Sequence, residues 1–261
     1  MAVYPTDLSD FQWSLISPFF QKSNLGRPSI HSKRQIVNAM LYLLKAGCSW
    51  DMLPKEYPSY KTVFDYFQKW RGNGFWEIIN GSLNRQVRRF VGKEASPSLL
   101  LTDSQSVKGS SGKQENKGVD GYKKVNGRKR HLVVDTLGLV VGCHITAANV
   151  HDSKALEYAL EKSFRDGNLK RCKKILGDKA YRGDLEILIP MRFGIQLEIG
   201  AFEKHPGFLP KPKRWIVERT HAWLGNVRRL VKDYEKKVAS ATAWVYLANI
   251  RLVLRKLEKT P

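Results

Sequence analysis

Acids are in short supply in this sequence: 24 Asp and Glu face 45 Lys and Arg over 261 residues, a formal charge of +21. Cysteine is scarce as well. Cys48, Cys143 and Cys172 are odd in number and include no C-x-x-C pair, which argues against a disulfide framework and a zinc ribbon and leaves them as small buried hydrophobes in a reducing compartment. No run of eighteen apolar residues occurs, so no membrane span is expected, and the opening MAVYPTDLSDFQW has acids where a secretory leader has bases. The expectation is a soluble cytoplasmic protein. What the chain does have is apolar material, 42% hydrophobic and 11% aromatic, enough to build a core and to exclude a disordered basic tail.

The charge is spread along the chain, with +6 in residues 1–96, +3 in 97–164 and +12 in 165–261. A surplus of this size repels itself unless a polyanion offsets it, and nucleic acid is the expected partner. The densest basic pieces are Lys108 to Arg130, which includes Lys123, Lys124, Arg128, Lys129 and Arg130, and the stretch from Lys204 to Lys237. Seven Trp are many for a protein that merely coats phosphate.

Periodicity divides the chain near residue 96. In KRQIVNAMLYLLKA, Ile36, Met40, Leu43 and Leu44 share one face of a helix that Gly47 ends. Ser59 can cap a second helix carrying Val63, Phe64, Phe67 and Trp70, and a third is expected over 75–91. The pair resembles a helix-turn-helix unit, although any small three-helix bundle has the same pattern. After a linker at 92–97 the period changes. SLLLT reads as a buried strand stopping at Asp103, residues 105–127 as a long mobile loop, and 130–135 with 139–146 as a hairpin. A helix over 152–164, a strand at 174–177 ending at Asp178, a helix at 183–192, a strand at 195–199 and two helices beyond Lys213 complete the order. This is the element order of an RNase H-like mixed α/β sheet, here behind a small all-α domain. The expected division is 1–96, helical and DNA-binding, and 97–261, catalytic.

Asp103 and Asp178 each follow a short apolar strand, so neighbouring strands would deliver both carboxylates to one sheet edge. In the helix beginning near Arg214, the stripe Ile216, Thr220, Trp223, Val227 and Leu230 or Val231 is expected to be buried. Arg214, Glu218, Ala222, Gly225 and Arg229 then share the opposite face, where small residues let a phosphate approach and Glu218 supplies a third acid. An exposed ion pair between Arg214 and Glu218 is the simpler account of that spacing. Three gathered carboxylates repel unless a hard cation is present; a pair of Mg²⁺ ions would relieve them and support in-line phosphoryl transfer on DNA. The sequence has no G-x-S-x-G elbow, no H-E-x-x-H, and only an incomplete P-loop at 109–113.

Four motifs stand in order: LTDSQS around Asp103, GRKRH at 127–131, GDKAY around Asp178 and RWIVERTHAWL from Arg214. They resemble those of bacterial insertion-sequence transposases, in the group numbered five, and the resemblance extends to the helical N-terminal part. It implies an RNase H-like domain with Asp103, Asp178 and Glu218 as catalytic metal ligands for Mg²⁺, with Mn²⁺ able to substitute, and Arg214 as the Arg of the signature. Relatives carry Lys or Arg where this chain has Gly225 and Tyr where it has Lys211. Phosphate clamping therefore passes to Arg228 or Arg229. The implied activity is that of a DNA transposase, which binds the terminal inverted repeats of its element, cleaves the ends and transfers the 3′ ends to target DNA. The implied assembly is a homodimer or larger on double-stranded DNA, nucleoid-associated. Two other readings are a domesticated DNA-binding regulator that does not cut, and a structure-specific nuclease of the same fold.

Overall fold

In the computed structural model, residues 4–20, 29–200 and 215–259 are described. Four helices come first: α1 (Asp10–Ile16), α2 (Lys33–Ala46), α3 (Tyr60–Gly72) and α4 (Phe75–Phe90). Capping boxes start two of them, Ser9 with Gln12 for α1 and Ser32 with Gln35 for α2, so donors that a helix start leaves orphaned are satisfied locally. Gly47 ends α2 with φ +69°, and its N–H reaches the Leu43 carbonyl at 2.9 Å. Residues 47–59 separate α2 from α3, a longer connection than the three or four residues of a tight helix-turn-helix. Ser59 does precede α3, but its hydroxyl makes no cap bond.

The sheet follows: β1 (Leu99–Lys108), β2 (Gly118–Asp120), β3 (Val125–Asp135), β4 (Val140–Ala147), β5 (Lys174–Gly177) and β6 (Gln196–Ile199). Its order is β2-β3-β1-β5-β6, with β4 pairing β3 beside β2. β1, β3 and β4 are antiparallel, whereas β5 and β6 run parallel to β1. That is the mixed, RNase H-like arrangement. α5 (Leu156–Arg165), α6 (Leu185–Phe193), α7 (Trp215–Gly225), the short α8 (Arg228–Val231) and α9 (Val238–Lys259) complete the chain.

Two expectations change here. Asp103 does not end its strand: β1 runs on to Lys108, and Asp103 pairs with Leu132 of β3. Residues 105–127 are consequently not a mobile loop, since they hold the end of β1, all of β2 and the start of β3. Polar residues continue β1 because their burial partners are charged side chains and backbone, not an apolar stripe.

The sheet's two faces carry different cores. Leu101, Leu132, Val134, Cys143 and Ile145 join a large core with α1 to α4, α7 and α9, while Leu100 and Val133 pack with α5 and α6. Five of the seven Trp residues serve the first. Trp76 and Trp244 are fully buried, and Phe67 stacks on Trp244 with centroids 4.6 Å apart. An amide network joins the helices to β4: Asn80 and Asn84 each donate to the Val140 carbonyl at 2.8 Å, and Asn249 donates to Asn80 at 2.6 Å. Beside it Arg88 pairs with Asp135, both buried, while Asp135 Oδ1 accepts the N–H groups of Leu137 and Leu139 at 2.9 Å. Cys143 and Cys172 are buried free thiols and Cys48 is half-buried; burial pushes Cys143 up to about 12 and Cys172 to about 11.

Candidate active site

Parallel pairing sets Leu101 opposite Leu176, and Asp103 and Asp178 each come two residues after that pair. Period 2 puts Asp103 on the face of Leu101, toward α7. Asp178 leaves β5 to cap a single 3₁₀ turn, Oδ1 accepting the Ala180 N–H at 2.9 Å. That bond fixes one oxygen of its carboxylate at the strand end.

α7 brings the third acid. Ile216, Val217 and Leu224 anchor it in the large core, and Thr220 Oγ1 donates to the Gly138 carbonyl at 2.9 Å. A Cβ on Gly138 would meet that hydroxyl at 2.8 Å, and its φ of +79° is glycine territory, so the hairpin turn reaches α7 only because it lacks a side chain. His221 Nε2 lies 4.0 Å from Asp103 Oδ2, and Glu218, one turn earlier, is exposed on the helix surface. Burial, helped by Arg130 and Lys123, pulls the His221 pKa down to about 4, so the imidazole beside Asp103 is neutral at pH 7. The Tyr181 hydroxyl is pushed well above its ordinary value by burial and by the charges of Asp152, Asp103 and Asp178.

The helix stripe expected to be buried is partly out of phase. α7 stops at Gly225, and its inward residues are Ile216, Val217, Thr220, His221 and Leu224. Trp223 is instead half-exposed, with the Arg219 guanidinium 4.4 Å over its ring and Lys256 Nζ at 4.9 Å on the same indole. Glu218, Ala222 and Gly225 do share an exposed face. Arg229 does not, because α8 turns it inward: it is 8% exposed, bonded to Glu235 and to the Cys48 carbonyl. Arg214 and Lys211 lie outside the described residues.

The basic run after Gly127 also needs correction. Arg128 is fully buried and Arg130 3% exposed, and Arg130 donates to the Leu230 carbonyl at 2.7 Å. Lys129 pairs with Asp152 at 2.9 Å and donates to the Val150 carbonyl. A strand must send every side chain to one face or the other, and both faces of β3 are covered, so this run is internal structure. Lys123, Lys124 and Arg228 remain exposed.

Asp152 is a further acid near the site, at the position where the helix expected over 152–164 begins. His151 caps the turn, while Asp152 accepts the Ser104 hydroxyl at 2.8 Å and pairs with Lys129. Its only sequence signal is an acid directly after the hairpin. His131, at 1% exposure, lies near it and bonds Thr146 Oγ1 through Nε2 at 2.9 Å.

Asp103, Asp178 and Glu218 offer hard oxygen donors of the kind Mg²⁺ takes. Among the described residues, no group of three or more His, Cys, Asp or Glu side chains stands close enough to hold a metal ion. The donor set fits such a cation in kind.

Residues 94–253 match the family described as "Transposase DDE domain", and residues 8–80 match "Putative transposase of IS4/5 family". The chain belongs to the DDE transposase domain family. This DDE chain is also similar to a Burkholderia cepacia protein named "Putative transposase for insertion sequence element IS402", with 30% identity over 116 residues. The match takes in 42% of the chain and 55% of that relative, so the chain spans about half the relative's length. Among solved structures, a chain of the Mos1 strand transfer complex aligns at 12% identity and a TM-score of 0.31, over 92% of this chain and 80% of that one. Among the described residues no helix is long and apolar enough to cross a membrane.

Proposed function

We propose that the chain is a DNA transposase acting at the ends of its own insertion sequence, with Asp103, Asp178 and Glu218 as its catalytic carboxylates. The observation that carries this reading is the β1 and β5 register, in which Asp103 and Asp178 each follow the paired Leu101 and Leu176 by two residues, with His221 of α7 4.0 Å from Asp103 and one turn from Glu218. A pair of divalent ions held by the three carboxylates would supply charge stabilisation at a phosphodiester and an activated water or 3′-hydroxyl. The protein's own part is positional. Lys123, Lys124 and Arg228 are exposed cations that draw the strand in, and Ala222 and Gly225 leave the α7 surface low enough for a backbone phosphate to lie against it. Residues 1–96 would recognise the terminal inverted repeats and 97–261 would cut and join. Two ends held together call for two copies or more on the DNA, in the cytoplasm with the nucleoid.

The test incubates the full chain with Mg²⁺ and the two duplexes that flank its gene. Cleavage at the element ends that falls about a thousandfold in Asp178→Ala and in Glu218→Gln, with duplex binding kept, supports the reading; that loss is the several kcal/mol a bound ion supplies. Full cleavage by either variant overturns the triad. A wild-type chain that binds but never cuts is the domesticated regulator, and equal cutting of scrambled or branched duplexes identifies a structure-specific nuclease.

A further inference from the structure

A cavity of about 760 Å³ opens between the N-terminal helices and the strap from Asp233 to Lys237 that joins α8 to α9. One wall is aromatic. Trp50 and Phe64 meet edge to face with ring centroids 5.1 Å apart, and Phe64 is 39% exposed. Tyr234, on the strap, is 56% exposed and also lines the space. Arg71, Lys236 and Lys237 line it too, while the one acid there, Glu235, is already bonded to Arg229 at 2.8 Å.

The strap that forms the other wall is built rigidly. Buried Arg128 donates to the carbonyls of Glu235 at 2.8 Å and Lys236 at 2.9 Å, and the Asp233 N–H bonds the Lys108 carbonyl at 2.9 Å. With the Glu235 and Lys236 carbonyls turned inward to Arg128, the side chains of Tyr234, Lys236 and Lys237 are left exposed. A cavity with aromatic walls and surplus cations suits a ligand that is flat and anionic at once. An apolar helix or an acyl chain would cover the rings but leave Arg71, Lys236 and Lys237 uncompensated. A free phosphate would leave the rings bare. A nucleotide satisfies both, the base on the rings and the phosphate on the lysines. Bases stacked and paired inside a duplex cannot enter, so the nucleotide has to be unpaired.

Position agrees. Lys108, which anchors the strap, is five strand residues from Asp103, about 17 Å at the usual rise, or about five nucleotides along one strand.

We propose that this cavity binds one unpaired nucleotide of the DNA strand that runs to the carboxylates, its base against Phe64, Trp50 and Tyr234 and its phosphate on Lys236 and Lys237. The inference rests on the DNA reading above. It is tested with the full chain and two fluorescent probes, a twelve-nucleotide oligothymidylate and a twelve-base-pair duplex of scrambled sequence. Tyr234→Ala, and separately Phe64→Ala, each lower affinity for the single strand by between about five- and a hundredfold and change duplex affinity by less than about twofold; Tyr234→Phe restores single-strand binding. Tyr234 is exposed enough that its removal leaves the fold intact, which the thermal midpoint checks. Unchanged single-strand affinity in both variants, or equal losses on both probes, overturns the nucleotide pocket while duplex binding and end cleavage leave the transposase reading standing. A wild-type chain that binds neither probe overturns both.

Discussion

The floor under the Asp233–Lys237 strap and the rim around Asp103 and Asp178 use charge in opposite ways. In the floor, Arg128 is fully buried; it donates to the Glu115 carbonyl at 2.8 Å, pairs with Asp233 at 3.2 Å and holds two strap carbonyls. Arg130, Arg88 and Arg229 are buried and bonded in the same manner. At the rim, Glu218, Lys123 and Arg228 are exposed and Asp103 and Asp178 half-buried. Guanidinium groups are suited to the interior because five donors in a planar fork can be matched by carbonyls and carboxylates. A surplus of +21 therefore does not measure the exposed basic surface; part of it braces the fold.

The sharpest way to break this comparison is to remove an internal cation. Arg128→Ala removes the ion-pair partner of buried Asp233 and the donor to the Glu115 carbonyl, and takes one of two donors from each of the Glu235 and Lys236 carbonyls, and its cost is expected to be about 3–5 kcal/mol. Urea denaturation measures it. A loss below about 1 kcal/mol would put Arg128 with the rim cations.

The difference between floor and rim also explains what was legible in the sequence. α2 is legible because its signals are local, apolar residues at helical spacing with Gly47 at the end, and the structure adds the Ser32–Gln35 capping box at its start. β5 and Asp178 were readable because a short apolar run stops at an acid. Asp103 is legible as a candidate, but the extension of β1 past it is hidden, since four of the five residues from Ser104 to Lys108 are polar and the backbone there finds its partners through pairing with β3. The basic run at 128–130 misled for the same reason, as alternation into two covered faces depends on β1 and β4 lying on either side. On α7, counting a stripe through Gly225 and Asn226 ran past the point where the helix stops, and Trp223 was counted with the core although its ring stacks on cations outside it.

Acid should strain the covered region before the rim. His131 faces Asp152, Lys129, His144 and His221, and burial drops its pKa to about 4; His221 faces Arg130, Lys123 and Asp103 and falls to about 4 as well. Unfolded, each imidazole binds its proton near pH 6.5. Between those values the unfolded chain holds more protons than the folded one, so stability rises with pH across the window and is lost as pH falls from 6.5 toward 4. Each imidazole is expected to remove roughly 1.5 kcal/mol between pH 6.5 and pH 5. Denaturation curves at the two pH values, compared with those of His131→Gln, check it; a variant as acid-sensitive as the wild type would remove His131 from the account.

Trp223→Ala probes the boundary between the two regions. A fully buried Trp would cost about 3–5 kcal/mol. Here the indole is half-exposed and held by Arg219 and Lys256, so the expected loss is about 1 kcal/mol. A cost of the larger size would mean that Trp223 is core and that α7 is rotated about its axis.

The smallest effect on stability is expected at the rim, and it should come with a clear effect on binding. Lys123→Ala with Lys124→Ala removes two exposed cations beside β3, and the folding free energy should change by no more than about 0.5 kcal/mol. If both contact phosphate, the logarithm of duplex affinity should fall less steeply with the logarithm of salt, the slope shrinking by about 2 because each released contact contributes roughly 0.9. Charge at the floor would do the reverse, altering stability and leaving the slope of the folded fraction alone. An unchanged slope in the double variant would mean that these lysines never meet the backbone, and the phosphate path would then have to run past Arg228 and Gly225 on the α7 side, the other place where an exposed cation stands beside a surface low enough for DNA to approach.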